Sequence, residues 1–119
     1  GTRAGGIRTM GRLTYGTSTY EIEDRMLQHL RAVVTAKLRR HESFTMSWHV
    51  DLAHGSGRVS LWVHPAVPIV FTFSGSRVPP LNPQWVEAMM TLAATSQGLV
   101  LVTEDEAATI GKGGRAPRV

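Results

Sequence analysis

Residues 58–77 read R-V-S-L-W-V-H-P-A-V-P-I-V-F-T-F-S-G-S-R, and the fold turns on this stretch. Val59, Leu61 and Val63 alternate with Ser60, Trp62 and His64. Beyond Pro65 and Pro68, Ile69, Phe71 and Phe73 alternate with Val70, Thr72 and Ser74. A period of two in β-branched and aromatic residues is the pattern of a strand with one buried face. The stretch predicts a pair of strands joined by a short Pro-bounded turn.

The flanking sequence supplies what covers that face. Upstream, Ser43 to Val50 reads as a strand with Phe44, Met46, Trp48 and Val50 on one side, followed by a flexible loop, Asp51 to Gly57. A helix is expected from Asp24, as N-cap, to about Arg40. Its apolar stripe is Met26, Leu27, Leu30, Val33, Val34 and Leu38, with His29 on the polar side. Arg12–Tyr15 and Thr19–Ile22 form a hairpin around Gly16-Thr17-Ser18. Downstream, Asn82-Pro83 opens a second helix as N-cap and N1 residues, and Gly98 is placed to stop it at C′. Leu99 to Thr103 is apolar on both faces and reads as an internal strand. Residues 1–9 and 104–119 lack an apolar face and read as disordered extensions, the first lying upstream of Met10. A single domain over residues 10–103 results, in the order β-β-α-β-β-β-α-β. The expected class is α+β, in two layers: a largely antiparallel sheet of about six strands with two helices on one face.

Composition narrows the function classes. The 119 residues include no Cys, which excludes a disulfide framework and a zinc–thiolate site. No apolar run approaches the roughly 18 residues of a membrane span, so no membrane partner is expected and a cytoplasmic location is the default. The net charge of +4, with Arg outnumbering Lys eleven to two, permits nucleic-acid binding. Several of those Arg sit in the Gly-rich ends, outside the domain.

Five short segments carry a family resemblance. They are M-G-R-L-T-Y-G at 10–16, K-L-R-R-H-E-S-F at 37–44, L-W-V-H-P at 61–65, P-L-N-P-Q-W at 80–85 and G-L-V-L-V at 98–102. Over about residues 10–103 the chain resembles short proteins of unknown function from high-GC Gram-positive bacteria, members of which often carry the label ATP-dependent DNA ligase. The residues do not support that label. A nucleotidyl-transferring ligase needs K-x-D-G, with Lys as the amine nucleophile. Lys37 is followed by Leu38-Arg39-Arg40, and Lys112 by Gly113-Gly114-Arg115.

No catalytic signature stands out, and no enzyme activity or cofactor is expected. His49, Asp51 and His54 could share a metal if the 51–57 loop folded back, but solvated polar residues are the plainer reading, so no metal site is assigned. Pairing the apolar faces sets Met46 by Val63, Trp48 by Leu61, His49 by Ser60 and His64 by Thr45. His49 and His64 are then too far apart for one ion. Ser74-Gly75-Ser76-Arg77 could form an anion nest or simply a tight turn. His29 and His41 read as helix-surface residues.

The second sheet face is the more informative feature. It is expected to carry Thr45, Ser47, His49, Ser60, Trp62, His64, Val70 and Thr72, hydroxyls and imidazoles around one large aromatic. So little charge suits contact with another surface, although a solvated Ser/Thr face is the bland alternative. The resulting expectation is a binding module that self-associates or takes a protein partner through Ser47, His49, Ser60, Trp62, His64 and Thr72. The alternative is a nucleic-acid accessory protein using Arg25, Arg31, Arg39 and Arg40.

Overall fold

The computed structural model describes residues 9–52 and 55–111. Strands β1 (Met10–Tyr15) and β2 (Ser18–Glu23) form the expected hairpin, with Tyr15 opposite Ser18. Gly16, at φ 61°, takes the first turn position, as a type II′ turn requires. Helix α1 (Asp24–Arg39) follows, then β3 (Phe44–Leu52), β4 (Gly55–Val63), β5 (Ile69–Thr72), α2 (Pro83–Ala93), β6 (Leu99–Val100) and α3 (Glu104–Gly111). The class is α+β, with six strands in the expected order.

The strands divide between two sheets, β2-β1-β5 and β4-β3-β6, rather than one. The two strands of the 58–77 stretch both form, but they part company. β5 crosses to β1 and pairs antiparallel, Tyr15 opposite Ile69 and Leu13 opposite Phe71. Two contacts set that course: Gly16 N–H donates to Pro68 C=O (2.9 Å), and Val67 N–H closes a turn onto His64 C=O (3.1 Å). Pro65 and Pro68 have no N–H to give a β4–β5 ladder.

Residues 51–52 and 55–57 belong to strands instead of a loop, so β3 and β4 approach within two residues of each other in sequence. Hairpin register follows loop length. The shorter connection slips the pairing by two positions: Phe44 faces Val63, Met46 Leu61, Ser47 Ser60, Trp48 Val59 and His49 Arg58. A slip of two preserves the faces. β6 pairs with β3 in parallel and is an edge strand, not an internal one. Both its residues are nevertheless buried.

One core serves both sheets. Leu13 and Ile22 come from the first, Phe44, Met46, Trp48, Val63 and Leu99 from the second. The stripes of the helices close it, with Leu27, Leu30, Val33 and Val34 from α1 and Trp85, Met89 and Leu92 from α2. Tyr20 and Trp48 meet edge to face across the sheets, with centroids 5.3 Å apart. Helix α2 ends at Ala93, before Gly98. Gly98 has another reason to be glycine: a Cβ there would lie 2.6 Å from Thr45 C=O on β3.

Where a tail was expected from residue 104, α3 forms and buries Ala107. Thr103-Glu104-Asp105-Glu106 is a capping box. Glu106 accepts from Thr103 N–H (2.8 Å), and Thr103 Oγ1 accepts from Glu106 N–H (3.1 Å). Residues 1–8 and 112–119 lie outside the described residues.

Candidate functional site

The expected binding residues separate into two groups. Ser47, His49, Ser60 and Trp62 share the outer face of β3–β4, where Thr45 opposes Trp62, Ser47 opposes Ser60 and His49 opposes Arg58. Trp62 is 62% exposed, and His49, Ser60 and Arg58 are also exposed. Ser47 is buried and donates to Ser60 Oγ at 3.2 Å. Thr72 and Val70 lie elsewhere, on β5 beside Arg12 and Thr14 of β1. β5 joined the other sheet, so the continuous face expected from sequence is only its β3–β4 half. His64 lies just past β4, and its Nδ1 accepts from Ala66 N–H (3.0 Å), which shapes the turn.

Tyr15 ties the two sheets together at this point. Its hydroxyl donates to Trp62 C=O (2.7 Å) and accepts from His64 N–H (3.0 Å). The backbone under Trp62 is thereby fixed, while the indole projects into solvent.

The His29 expectation is overturned. His29 is fully buried between α1 and α2, stacked on Trp85 with centroids 4.2 Å apart. Its Nε2 accepts from Asn82 N–H (2.7 Å), so its proton sits on Nδ1, which donates to Arg25 C=O (2.7 Å). Burial disfavours the imidazolium and holds its pKa below the ordinary value. Asn82 caps α2 as expected, accepting from Gln84 and Trp85 N–H at 3.0 and 3.4 Å. Its Nδ2 also donates to Glu104 (2.7 Å), which receives a two-pronged bond from Arg25 at 3.1 and 2.7 Å. Trp85 Nε1–H completes the junction by donating to Val102 C=O (2.8 Å). Arg25 therefore braces α1 against α3. Arg31 and Arg39 flank a groove on α1 with Thr35, and Arg40 is exposed at its end.

Asn82→Ala is expected to cost about 2 kcal/mol, more than the ~1 of a simple cap, because the Glu104 bond goes as well. Chemical denaturation compared with wild type checks this. A change under about 0.5 kcal/mol would show that solvent replaces both contacts.

The Ser74–Arg77 turn does cradle an anion, and the anion is the protein's own. Asp24 accepts from Ser74 N–H (3.2 Å) and Gly75 N–H (2.9 Å). It is the first residue of α1 rather than its cap, and Glu23 holds the cap position. Burial raises the Asp24 pKa, but these two N–H donors and the Thr9 hydroxyl outweigh it and leave the carboxyl below its ordinary value.

Residues 10–104 match the family described as Domain of unknown function (DUF7882). The chain belongs to that family. No curated protein and no solved structure matches it.

A cleft of about 390 Å³ runs between β2 and the β3–β6 side, lined by Ile22, Met26, Trp48, Val100 and Leu101 with Glu21, Glu23 and His49. Among the described residues, no three His, Asp or Glu side chains converge as metal ligands. Of the suggested His49, Asp51 and His54 set, His54 lies outside the described residues. Also among the described residues, no helix is long and apolar enough to cross a membrane.

Proposed function

We propose that this DUF7882 domain is a small non-enzymatic interaction module that binds protein, a second copy included, through the outer face of β4. The observation that carries the reading is Trp62, 62% exposed on a backbone held rigid by Tyr15. A fully covered Trp buries about 150–250 Å². The part still exposed is worth roughly 2–4 kcal/mol at about 25 cal/mol per Å², before ordering costs. Ser60 and Thr45 around it can hydrogen-bond without a charge to desolvate, and Arg58 is the one formal charge in the three pairs nearest it, Thr45–Trp62, Ser47–Ser60 and His49–Arg58.

His29 is neutral, buried and engaged at both nitrogens, so it is not offered as a general base. The ligase label of the resembling bacterial proteins is not adopted: Lys37 sits in K-L-R-R and pairs with Glu42 at 2.9 Å. A cytoplasmic setting completes the reading and rests on composition.

Trp62→Lys is expected to abolish association while leaving the fold intact. Light scattering across a wide concentration range reads the first, and circular dichroism the second. A mutant that associates as strongly as wild type would refute the assignment of this face.

A second reading has its own observation. The Arg31–Thr35–Arg39 groove and exposed Arg40 form a basic stripe that phosphates could follow. Binding to unrelated DNA that weakens steeply with salt and survives Trp62→Lys would favour it.

A further inference from the structure

We propose that the partner on this face is a second copy of the chain, joined by antiparallel pairing of β4 with β4 about a two-fold axis. The inference rests on the reading above and names its partner. β4 is nine residues long and lies at the edge of its sheet. No other described strand or helix runs along its far side. Proteins usually blunt such an edge with Pro, Lys or a short strand. Over Gly57–Val63, β4 has none of these and a single charge, Arg58.

The backbone groups that face outward can be identified. Ser47 C=O accepts from Leu101 N–H (3.0 Å), so the groups of Ser47 turn toward β6. The Ser47–Ser60 pair is then a non-hydrogen-bonded one, and Ser60 turns its N–H and C=O away from β3. Alternation gives Arg58 and Trp62 the same direction. The Tyr15 hydroxyl confirms it by bonding Trp62 C=O and His64 N–H from that side. Tyr15 stops the open edge at Trp62, and Arg58 and Ser60 remain as its central ladder positions.

The side chains on that edge complement themselves. A two-fold axis at Ser60 sets Ser60 opposite Ser60 of the second copy, and Arg58 opposite its Trp62. An axis at Val59 sets Arg58 opposite Ser60 and diagonal to Trp62. Both registers bring a guanidinium to an indole twice per dimer, a cation–π arrangement. Within one copy the two residues are four positions apart on a strand, about 13 Å, and do not meet. An axis at Arg58 would oppose two guanidiniums and is disfavoured. The two three-stranded sheets would merge into one across the axis.

The test is backbone amide exchange on the unmodified chain at low and high concentration, alongside light scattering. The expected result is a dimer mass at high concentration, with Arg58 and Ser60 amides protected there and exposed on dilution. The Met46 amide should stay protected throughout. Ser60→Pro deletes an outward N–H, which an edge strand tolerates, and should yield a folded monomer. Arg58→Glu should weaken association on the order of tenfold. A dimer with fast-exchanging Arg58 and Ser60 amides that still fails on Trp62→Lys would overturn edge pairing and leave the Trp62 face standing. A dimer indifferent to Trp62→Lys would overturn both. A monomer at every concentration would overturn the second-copy assignment.

Discussion

Gly11→Ala is expected to destabilise the domain by about 3 kcal/mol, the upper part of the range for forced overpacking. A Cβ at Gly11 would lie 2.6 Å from Asp24 Oδ1, 2.6 Å from Thr72 C=O and 2.7 Å from Leu27 Cδ2. None of these can step aside cheaply. Thr72 C=O is β5 backbone in its ladder with β1, Leu27 is fully buried, and Asp24 holds the Ser74–Gly75 turn. Three elements converge on the space that a missing side chain leaves. For a domain of this size the loss corresponds to a fall in Tm of roughly 12–20 °C. Gly16→Asn is the control. Gly16 also has positive φ, but Asn tolerates that region and the nearest side-chain atom to a Cβ there is 3.6 Å away. It should change stability by less than about 1 kcal/mol. Equal effects at the two glycines would show that the packing around Gly11 is looser than described.

His29→Ala should cost about as much, on the order of 3 kcal/mol, from a cavity beside Trp85 and an orphaned Asn82 N–H. It should also alter the response to acid. The folded pKa of His29 lies below the ordinary 6.5, chiefly because burial disfavours its charge. The unfolded chain therefore binds the proton more readily than the folded one. The His29 contribution is complete above pH 6.5 and declines as pH falls below it. Glu104 acts in a separate window: bonds from Arg25 and Asn82 hold its pKa below 4.5, so its contribution is lost only as pH falls further. Urea unfolding at a series of pH values checks both. The wild type should lose stability from about pH 6.5 downward, and His29→Ala should lose less over that first interval. An identical slope in the two proteins would contradict the buried neutral imidazole.

The sequence carried the faces of the strands more reliably than their partners. Alternation at Val59–Val63 and Ile69–Phe73 fixes which side is apolar whatever the strand pairs with, and it survived even the two-residue slip of β3 against β4. It cannot say which open edge a strand will meet. That choice lay in Tyr15, which pairs with Ile69, and in Gly16, which bonds Pro68, both remote in sequence from β5. His29 was misread because helical spacing alone puts it at the margin of the α1 stripe. Its three-residue spacing from Met26 and its partner Asn82 together mark a buried position, but only the second helix shows the partner. The α3 start was visible in T-E-D-E as a capping box, masked by the Gly-rich residues after it. Asp24 and the Ser74–Gly75 turn were each noticeable alone, and nothing local links a carboxylate to a nest fifty residues on.

The claim that the Trp62 face binds protein can be read from fluorescence. The chain has three Trp, and Trp48 and Trp85 are only 8% and 3% exposed. Acrylamide quenching therefore reports almost entirely on Trp62. The structure predicts an efficiently quenched component in dilute protein that becomes shielded as concentration rises or partner is added. A Trp62→Phe variant should show little quenching throughout. Efficient quenching of Trp62 at every concentration and in every complex formed would contradict the claim.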